Sequence, residues 1–286
     1  MERYVAEKVE IGLKMRLGEG PVWQADTNTL SWVDILSGTL HILQGDRVLS
    51  IETGQYIGAA VPVASDGQYL AALTTGFYLM DKTGLIDKIG SPLDMPLRCR
   101  FNDAKCDRKG RLFAGIIGLY GDEGKKGRLY CLENGAISTV LEGMVLPNGM
   151  DWDDDRGLFY MIDTPTGTVE AYEYDGESAH VSHSHTAAVI EEGVPDGMTL
   201  DAEGNLWVAQ WGGGKVCCYA AESGRKIAEI VLPASNVSSC CFGGRDLDCL
   251  YITTATSPGR RAPVISIKRK QGIVGGNHIV IKINRR

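Results

Sequence analysis

The chain has 286 residues, 44% hydrophobic and 23% charged, a globular composition without the bias of a disordered segment. Its net charge of −7 argues against a general nucleic-acid-binding surface. The dense basic spots, Lys268-Arg269-Lys270 and Arg285-Arg286, read as a solvated loop and a chain end. No apolar run approaches the ~18 residues of a membrane span, and the opening MERYVAEKVEIG lacks the apolar stretch of a secretory signal. The eight cysteines include two adjacent pairs and no C-x-x-C. Neighbours on a strand point to opposite faces, so the expectation is reduced, mostly buried thiols in a cytoplasmic protein. The 36 glycines exceed the usual ~7% share and favour tight turns between short strands.

In chain order, a turn followed by a leucine-centred strand recurs six times: DTNTLSWV at Leu30, SDGQYLAAL at Leu70, DRKGRLFAG at Leu112, DDRGLFYMI at Leu158, DAEGNLWVA at Leu206 and RDLDCLYIT at Leu250. The intervals are 40, 42, 46, 48 and 44 residues. Each apolar or alternating run is short, as in a strand. A second strand usually follows another turn, as in GTLHIL, TTGFYLMD, GRLYCLE, GTVEAYEYD and GKVCCYA. Roughly four strands per ~40–50-residue unit is the period of a β-propeller blade. The predicted fold is all-β, a six-bladed β-propeller occupying residues 1–286 as a single domain, with a metal site in its central channel. YVAEKVEI and HIVIKIN, near the two termini, are alternating strands suited to closing the ring.

The first strand of each blade lines the channel, so equivalent positions face one another across the axis. Counting ten residues back from the six leucines gives Gly20, Ala60, Asn102, Asn148, Asp196 and Cys240, with Glu19 beside the first. Packing would be satisfied by small apolar residues there, yet the ring collects Glu19, Asn102, Asn148 and Asp196. Two converging carboxylates repel unless one is protonated or a cation joins them. Carboxylate and amide oxygens suit a divalent ion, with Glu19 and Asp196 supplying charge and Asn148 a neutral third ligand. Three protein ligands leave positions open, as in a catalytic site. The competing reading makes Asn148-Gly149 and Asp196-Gly197 ordinary hairpin turns and Glu19 a surface residue.

The segments LGEGPVW (17–23), RFNDAKCDRKGRLFAG (100–115), PNGMDW (147–152), YMIDTPTGTVEAYEYD (160–175), PDGMTLDAEGNLWVAQWGGGKV (195–216) and SSCCFGG (238–244) resemble, together and in order, the senescence marker protein/gluconolactonase/luciferin-regenerating enzyme family, which includes regucalcin. The resemblance runs from about residue 16 to 254. It implies a six-bladed propeller holding one divalent metal, and hydrolysis of a sugar lactone. It implies that Glu19, Asn148 and Asp196 ligate the metal and that Arg100 and Asn102 contact substrate. Glu123, in IGLYGDEGKKG, matches a substrate-contacting acid of the family's channel lid, although this loop differs in sequence and length. The segment 255–276 also departs from the family pattern. The metal, whether Ca, Zn, Mn, Mg or Fe(II), is not chosen by an oxygen-rich ligand set.

A lactone is a cyclic ester, and Asp196 is the candidate general base for the water that opens it. Arg100 and Asn102 would hold substrate oxygens, and Asp103 reads as a residue securing Arg100 or a turn. Competing functions are a phosphotriester or non-sugar lactone hydrolase on the same scaffold, and a non-catalytic metal-binding or interaction propeller. Two other motifs read as structural. DWDDDRG places its glycine one position late for a calcium loop and Ile162 where such a loop needs Glu. The histidines of AHVSHSH have no nearby Cys or acid in sequence.

Overall fold

In the computed structural model, described for residues 2–9, 11–63, 67–119, 126–256, 265–267 and 281–282, the chain is built from strands with two single-turn 3-10 helices, Ile35–Ser37 and Thr164–Thr166. Four four-stranded antiparallel sheets follow one another along the chain. The first runs from Gly18–Gln24 out to Arg47–Glu52, and the second from Ile57–Pro62 to Gly84–Gly90. The third runs from Cys99–Cys106 to Ala136–Met144, and the fourth from Pro147–Asp153 to His180–Val189. Strands from Val194–Leu200 onward lie in one ten-stranded sheet. The result is an all-β, propeller-like fold. The expectation of six separate blades is corrected here: four sheets are separate blades, and the remaining strands are hydrogen-bonded into one sheet.

The two halves of that sheet meet at a single paired position, Trp211 with Asn236. Glu2–Val5 runs parallel to Lys226–Val231 on its outer edge. Glu7–Lys8 pairs with Ile265–Ile267, and Ile281–Lys282 pairs with Cys249–Ala255. Both ends of the chain therefore add to the same sheet.

Four of the six recurring leucines are buried, and Leu70 and Leu158 are half-buried. Leu30, Leu112, Leu206 and Leu250 are at most 1% exposed, placed on second strands whose apolar faces press against the neighbouring sheet. Val33 and Leu40 meet Ala60, Ala71 and Leu73 of the next sheet. Phe113 and Leu129 meet Trp152 and Phe159, with Phe113 edge-on to Trp152 at 5.0 Å between ring centroids. Tyr160 and Ile162 meet Met198 and Val208. The core thus lies between sheets stacked face to face, in layers that repeat around the molecule.

A polar clamp joins the third and fourth sheets. Arg111, 2% exposed, donates through Nε to Asp107 (2.7 Å) and through its terminal nitrogens to the Tyr174 hydroxyl (2.8 Å) and the carbonyls of Gly176 (2.7 Å) and Glu177 (3.0 Å). Each of its three nitrogens has a partner, which is what allows a guanidinium to be buried there.

Candidate functional site

The first strand of each unit carries one extra residue against its partner, and these bulges position the candidate site. Glu19 pairs with Val33 and the next pair is Val22 with Ser31. Phe101 pairs with Ile116 before Ala104 with Ala114. Pro147 pairs with Asp163 before Met150 with Met161, and Pro195 with Gln210 before Met198 with Val208. Asn102, Asp103, Asn148 and Asp196 therefore fall on bulged backbone outside the ladder, where a strand bends and re-aims its side chains.

Two further bulges lie at Gly58 and Ser238, the residues skipped between Ile57 and Ala59 and between Val237 and Ser239. Counting ten back from the leucine had selected Ala60 and Cys240. The structure moves both ring positions two residues upstream.

Asn148-Gly149 and Asp196-Gly197 are not turns. Each lies inside a first strand, Pro147–Asp153 or Val194–Leu200. A Cβ on Gly149 would fall 2.5 Å from the Met198 nitrogen and 2.7 Å from the Asp196 carbonyl oxygen. On Gly197 it would fall 2.5 Å from Ser239 Cβ. The glycine after each polar residue lets the neighbouring first strand approach closely.

The resulting cluster is buried and acidic. Glu19, Asn148 and Asp196 are 5%, 2% and 6% exposed, and Arg100, Asn102 and Asp103 are also buried. Burial holds the Glu19 carboxyl well above its ordinary range, and Asp196 and Asp103 raise it further, against the Gly20 amide and Arg100. Burial likewise raises Asp196 strongly, with Asp103 adding to it and the Asn148 amide and Arg100 opposing. Asp103 is pushed up to about 6, mainly by burial, against the Ala104 amide and Lys105. Three buried carboxyls thus share a region in which one guanidinium offsets the charge of two of them.

The amides are precisely oriented by hydrogen bonds. Asn148 donates through Nδ2 to the Thr164 hydroxyl at 3.0 Å, while its Oδ1 is buried with no hydrogen-bond partner. Arg100 donates through Nη1 to Asn102 Oδ1 (3.0 Å) and the Phe101 carbonyl (2.8 Å). Asn102 donates through Nδ2 to the Pro147 carbonyl at 3.0 Å. An orphaned buried carbonyl oxygen is uncommon because it forfeits its hydration. Beside carboxyls that resist ionisation, it is the arrangement that a bound cation would complete. Among the described residues no three His, Cys, Asp or Glu side chains form a ready-made metal cluster; the donor set suggested by the sequence uses an amide in the third place.

The structure brings Arg100 and Asn102 into direct contact on the strand Cys99–Cys106. Glu123 lies outside the described residues, as does most of 255–276. Asp103, which the sequence reading set aside as structural, does bond the backbone of Ala104 (2.8 Å), yet it also belongs to the acidic cluster. Thr164 was not foreseen. It contacts Asn148 from the 3-10 turn after the second strand, and only its place in DTPTG marked it.

The acidic DWDDDRG is a turn at its second half, where Asp153 accepts from the Arg156 amide. His183 bonds Glu170 at 2.8 Å on an exposed face. All eight cysteines are free. No helix among the described residues is long and apolar enough to cross a membrane.

Comparison with known proteins places this geometry in context. Residues 17–256 match the family described as the SMP-30/Gluconolactonase/LRE-like region. Pentonolactonase XacC of Haloferax volcanii is 39% identical over 250 residues, covering 85% of this chain and 83% of that protein. Regucalcin of Danio rerio is 34% identical over 256 residues, covering 87% and 86%. The solved structure of a luciferin-regenerating enzyme superposes with a TM-score of 0.87 at 25% identity, covering 98% of this chain and all of that one. The matched span contains every first-strand bulge described above, and on that footing the chain belongs to the SMP-30/gluconolactonase/LRE-like family.

Proposed function

We propose that this protein is a divalent-metal-dependent hydrolase that opens a sugar lactone, with Glu19, Asn148 and Asp196 as metal ligands. The observation that carries the reading is the buried, unpartnered Asn148 Oδ1 beside the Glu19 and Asp196 carboxyls. Relatives named as lactonases support the substrate class. We read the ten-stranded sheet as two blades joined at Trp211–Asn236, completing a six-bladed ring in a single domain spanning 1–286. Eight free thiols suit a reducing, cytoplasmic compartment.

When bound, the cation supplies Lewis-acid polarisation of the lactone carbonyl and acidifies water at the site. Asp196 takes a proton from the attacking water as its oxygen bonds to the carbonyl carbon. The ring carbon–oxygen bond then breaks, and Asp196 returns that proton to the departing ring oxygen, giving the open hydroxy acid. The planar guanidinium fork of Arg100 holds the oxygens of the substrate. Asn102 is fixed by Arg100 on one side and by the Pro147 carbonyl on the other, and presents its remaining donor to a ring hydroxyl. Glu123, outside the described residues, is the further candidate substrate contact that the family resemblance implies.

The testing experiment is acid release from a panel of aldonolactones by the purified protein. Opening of at least one sugar lactone above the spontaneous rate is expected. A panel with no acceleration, run with each candidate metal in turn, would refute the assignment.

A further inference from the structure

Each of the three proposed ligands directly follows a residue whose carbonyl oxygen is held by a side chain from another strand or turn. Asn102 Nδ2 donates to the Pro147 carbonyl, ahead of Asn148, at 3.0 Å. Thr164 Oγ1 donates to the Pro195 carbonyl, ahead of Asp196, at 2.9 Å. Ser238 Oγ donates to the Gly18 carbonyl, ahead of Glu19, at 2.6 Å. These contacts join residues 45, 31 and 220 positions apart, so chain proximity does not produce them.

A carbonyl oxygen and the next residue's nitrogen and Cα share one rigid peptide plane. Holding the oxygen therefore fixes the plane from which the ligand side chain springs. The need is local. Asn148 and Asp196 lie within bulges, outside the regular ladder, and Glu19 is the last paired residue before one, so the ladder leaves each of them unrestrained on at least one side. Pro147 and Pro195 also lack an N–H, which removes a second means of anchoring the segment.

Thr164 has a second effect that follows from counting protons. A carbonyl only accepts, so the single hydroxyl proton of Thr164 is committed to Pro195. The Thr164 oxygen can then only accept from Asn148, which forces the amide nitrogen toward Thr164 and Oδ1 away from it. One hydroxyl thus sets both the amide orientation of Asn148 and the peptide plane before Asp196. Ser238, fully buried, lies in addition 3.0 Å from Thr253 Oγ1, which fixes its own rotamer.

We infer that Thr164 and Ser238 are positioning residues that, with Asn102, hold the backbone before each ligand and so preset the metal-binding geometry. This rests on the ligand assignment under Proposed function. Outer partners of metal ligands typically contribute about 10–100-fold in affinity.

The test compares wild type with Thr164→Val, Thr164→Ser, Ser238→Ala and Asp196→Asn, titrating Ca2+ and Zn2+ separately by calorimetry. Melting in chelator is measured alongside, which reports folding without metal. Thr164→Val and Ser238→Ala are expected to weaken binding by about 10–100-fold, while Thr164→Ser, which keeps the hydroxyl, stays within about threefold of wild type. Thr164 is only partly buried, so its valine variant provides the test even where Ser238→Ala lowers the melting temperature. If Asp196→Asn abolishes binding but Thr164→Val binds as wild type does, the positioning inference is overturned and the ligand assignment stands. A lower melting temperature in chelator with unchanged affinity overturns it too, because it reduces Thr164 to a structural contact. If wild type binds neither ion, or Asp196→Asn binds as well as wild type, the ligand assignment fails and the inference fails with it.

Discussion

Asn148 turns its amide nitrogen to the Thr164 hydroxyl, 3.0 Å away, and leaves its buried carbonyl oxygen without a hydrogen-bond partner. The group is satisfied on the side facing the scaffold and unsatisfied on the other. A protein assembled only for stability would gain by filling that position with an apolar residue, since an unmet buried acceptor costs about 1–3 kcal/mol. Retaining it alongside carboxyls buried in the same space fits a site whose stability is completed by a ligand.

Asp196→Asn separates function from folding. The amide keeps the shape of the side chain but neither ionises nor accepts a proton, so lactone hydrolysis is expected to fall by at least about a thousandfold, within the range for loss of a general base. The chelated variant is expected to melt no lower than wild type at pH 8, because a carboxyl that resists ionisation in its buried setting has been removed. Retained hydrolysis would remove Asp196 from the reaction, and a collapsed melting temperature would make it a scaffold residue.

Stability of the metal-stripped protein is expected to fall with rising pH. The ordinary values are 4.5 for Glu19 and 3.8 for Asp196, and burial raises both well above these in the fold; Asp103 is raised from 3.8 to about 6. Between the ordinary and raised values the folded chain binds more protons than the unfolded chain. Stability therefore decreases as pH climbs through that window. Ligation favours the deprotonated carboxyls, so saturating metal is expected to flatten or reverse the slope. Thermal melts from pH 5 to 8, with chelator and with metal, check this; parallel curves would contradict it.

The thiols are expected to be inert in the folded state. Burial pushes Cys106 up to about 12, helped by Asp107, and Cys241 up to about 12. Cys131 and Cys217 rise to about 11 for the same first reason. Iodoacetamide reacts with thiolate, so at pH 8 native protein should alkylate slowly and denatured protein at all eight cysteines. Rapid labelling of several cysteines in the native state would show that the blades open more readily than their packing implies.

Arg111→Met tests the clamp between the third and fourth sheets. It removes the ion-pair partner of the buried Asp107, which keeps only the backbone amides at 109 and 111 and the Tyr174 hydroxyl, and it removes donors to Tyr174, Gly176 and Glu177. Breaking a buried pair in this way costs about 3–5 kcal/mol, measurable by urea unfolding. Metal affinity per folded molecule should be unchanged, because no part of the clamp belongs to the cluster of Glu19, Asn148 and Asp196.

The leucine repeat was readable because it is local: each turn-and-strand unit carries its own pattern of alternation, and Leu30, Leu112, Leu206 and Leu250 are buried while Leu70 and Leu158 are half-buried. The convergence of Glu19, Asn148 and Asp196 was readable for the same reason, since in these three units the count from the leucine crosses the bulge in the same way. It failed at Ala60 and Cys240, where the bulge lies farther from the leucine and a fixed count cannot register it. Asn148-Gly149 has the sequence of a hairpin turn; only the approach of Met198 reveals that its glycine makes room for a neighbouring strand. Thr164 and Ser238 could not be read at all, because their role lies in contacts to distant carbonyls that no spacing encodes. The number of separate sheets was also beyond the repeat, which counts units but not the Trp211–Asn236 pairing that joins two of them.

The most direct test of the central claim is the rate of sugar-lactone opening by protein stripped with chelator and reloaded with one divalent metal at a time. Stripping is expected to abolish hydrolysis, and about one equivalent of an effective metal to restore it, in wild type but not in Asp196→Asn. Full hydrolysis surviving complete removal of metal would contradict the account.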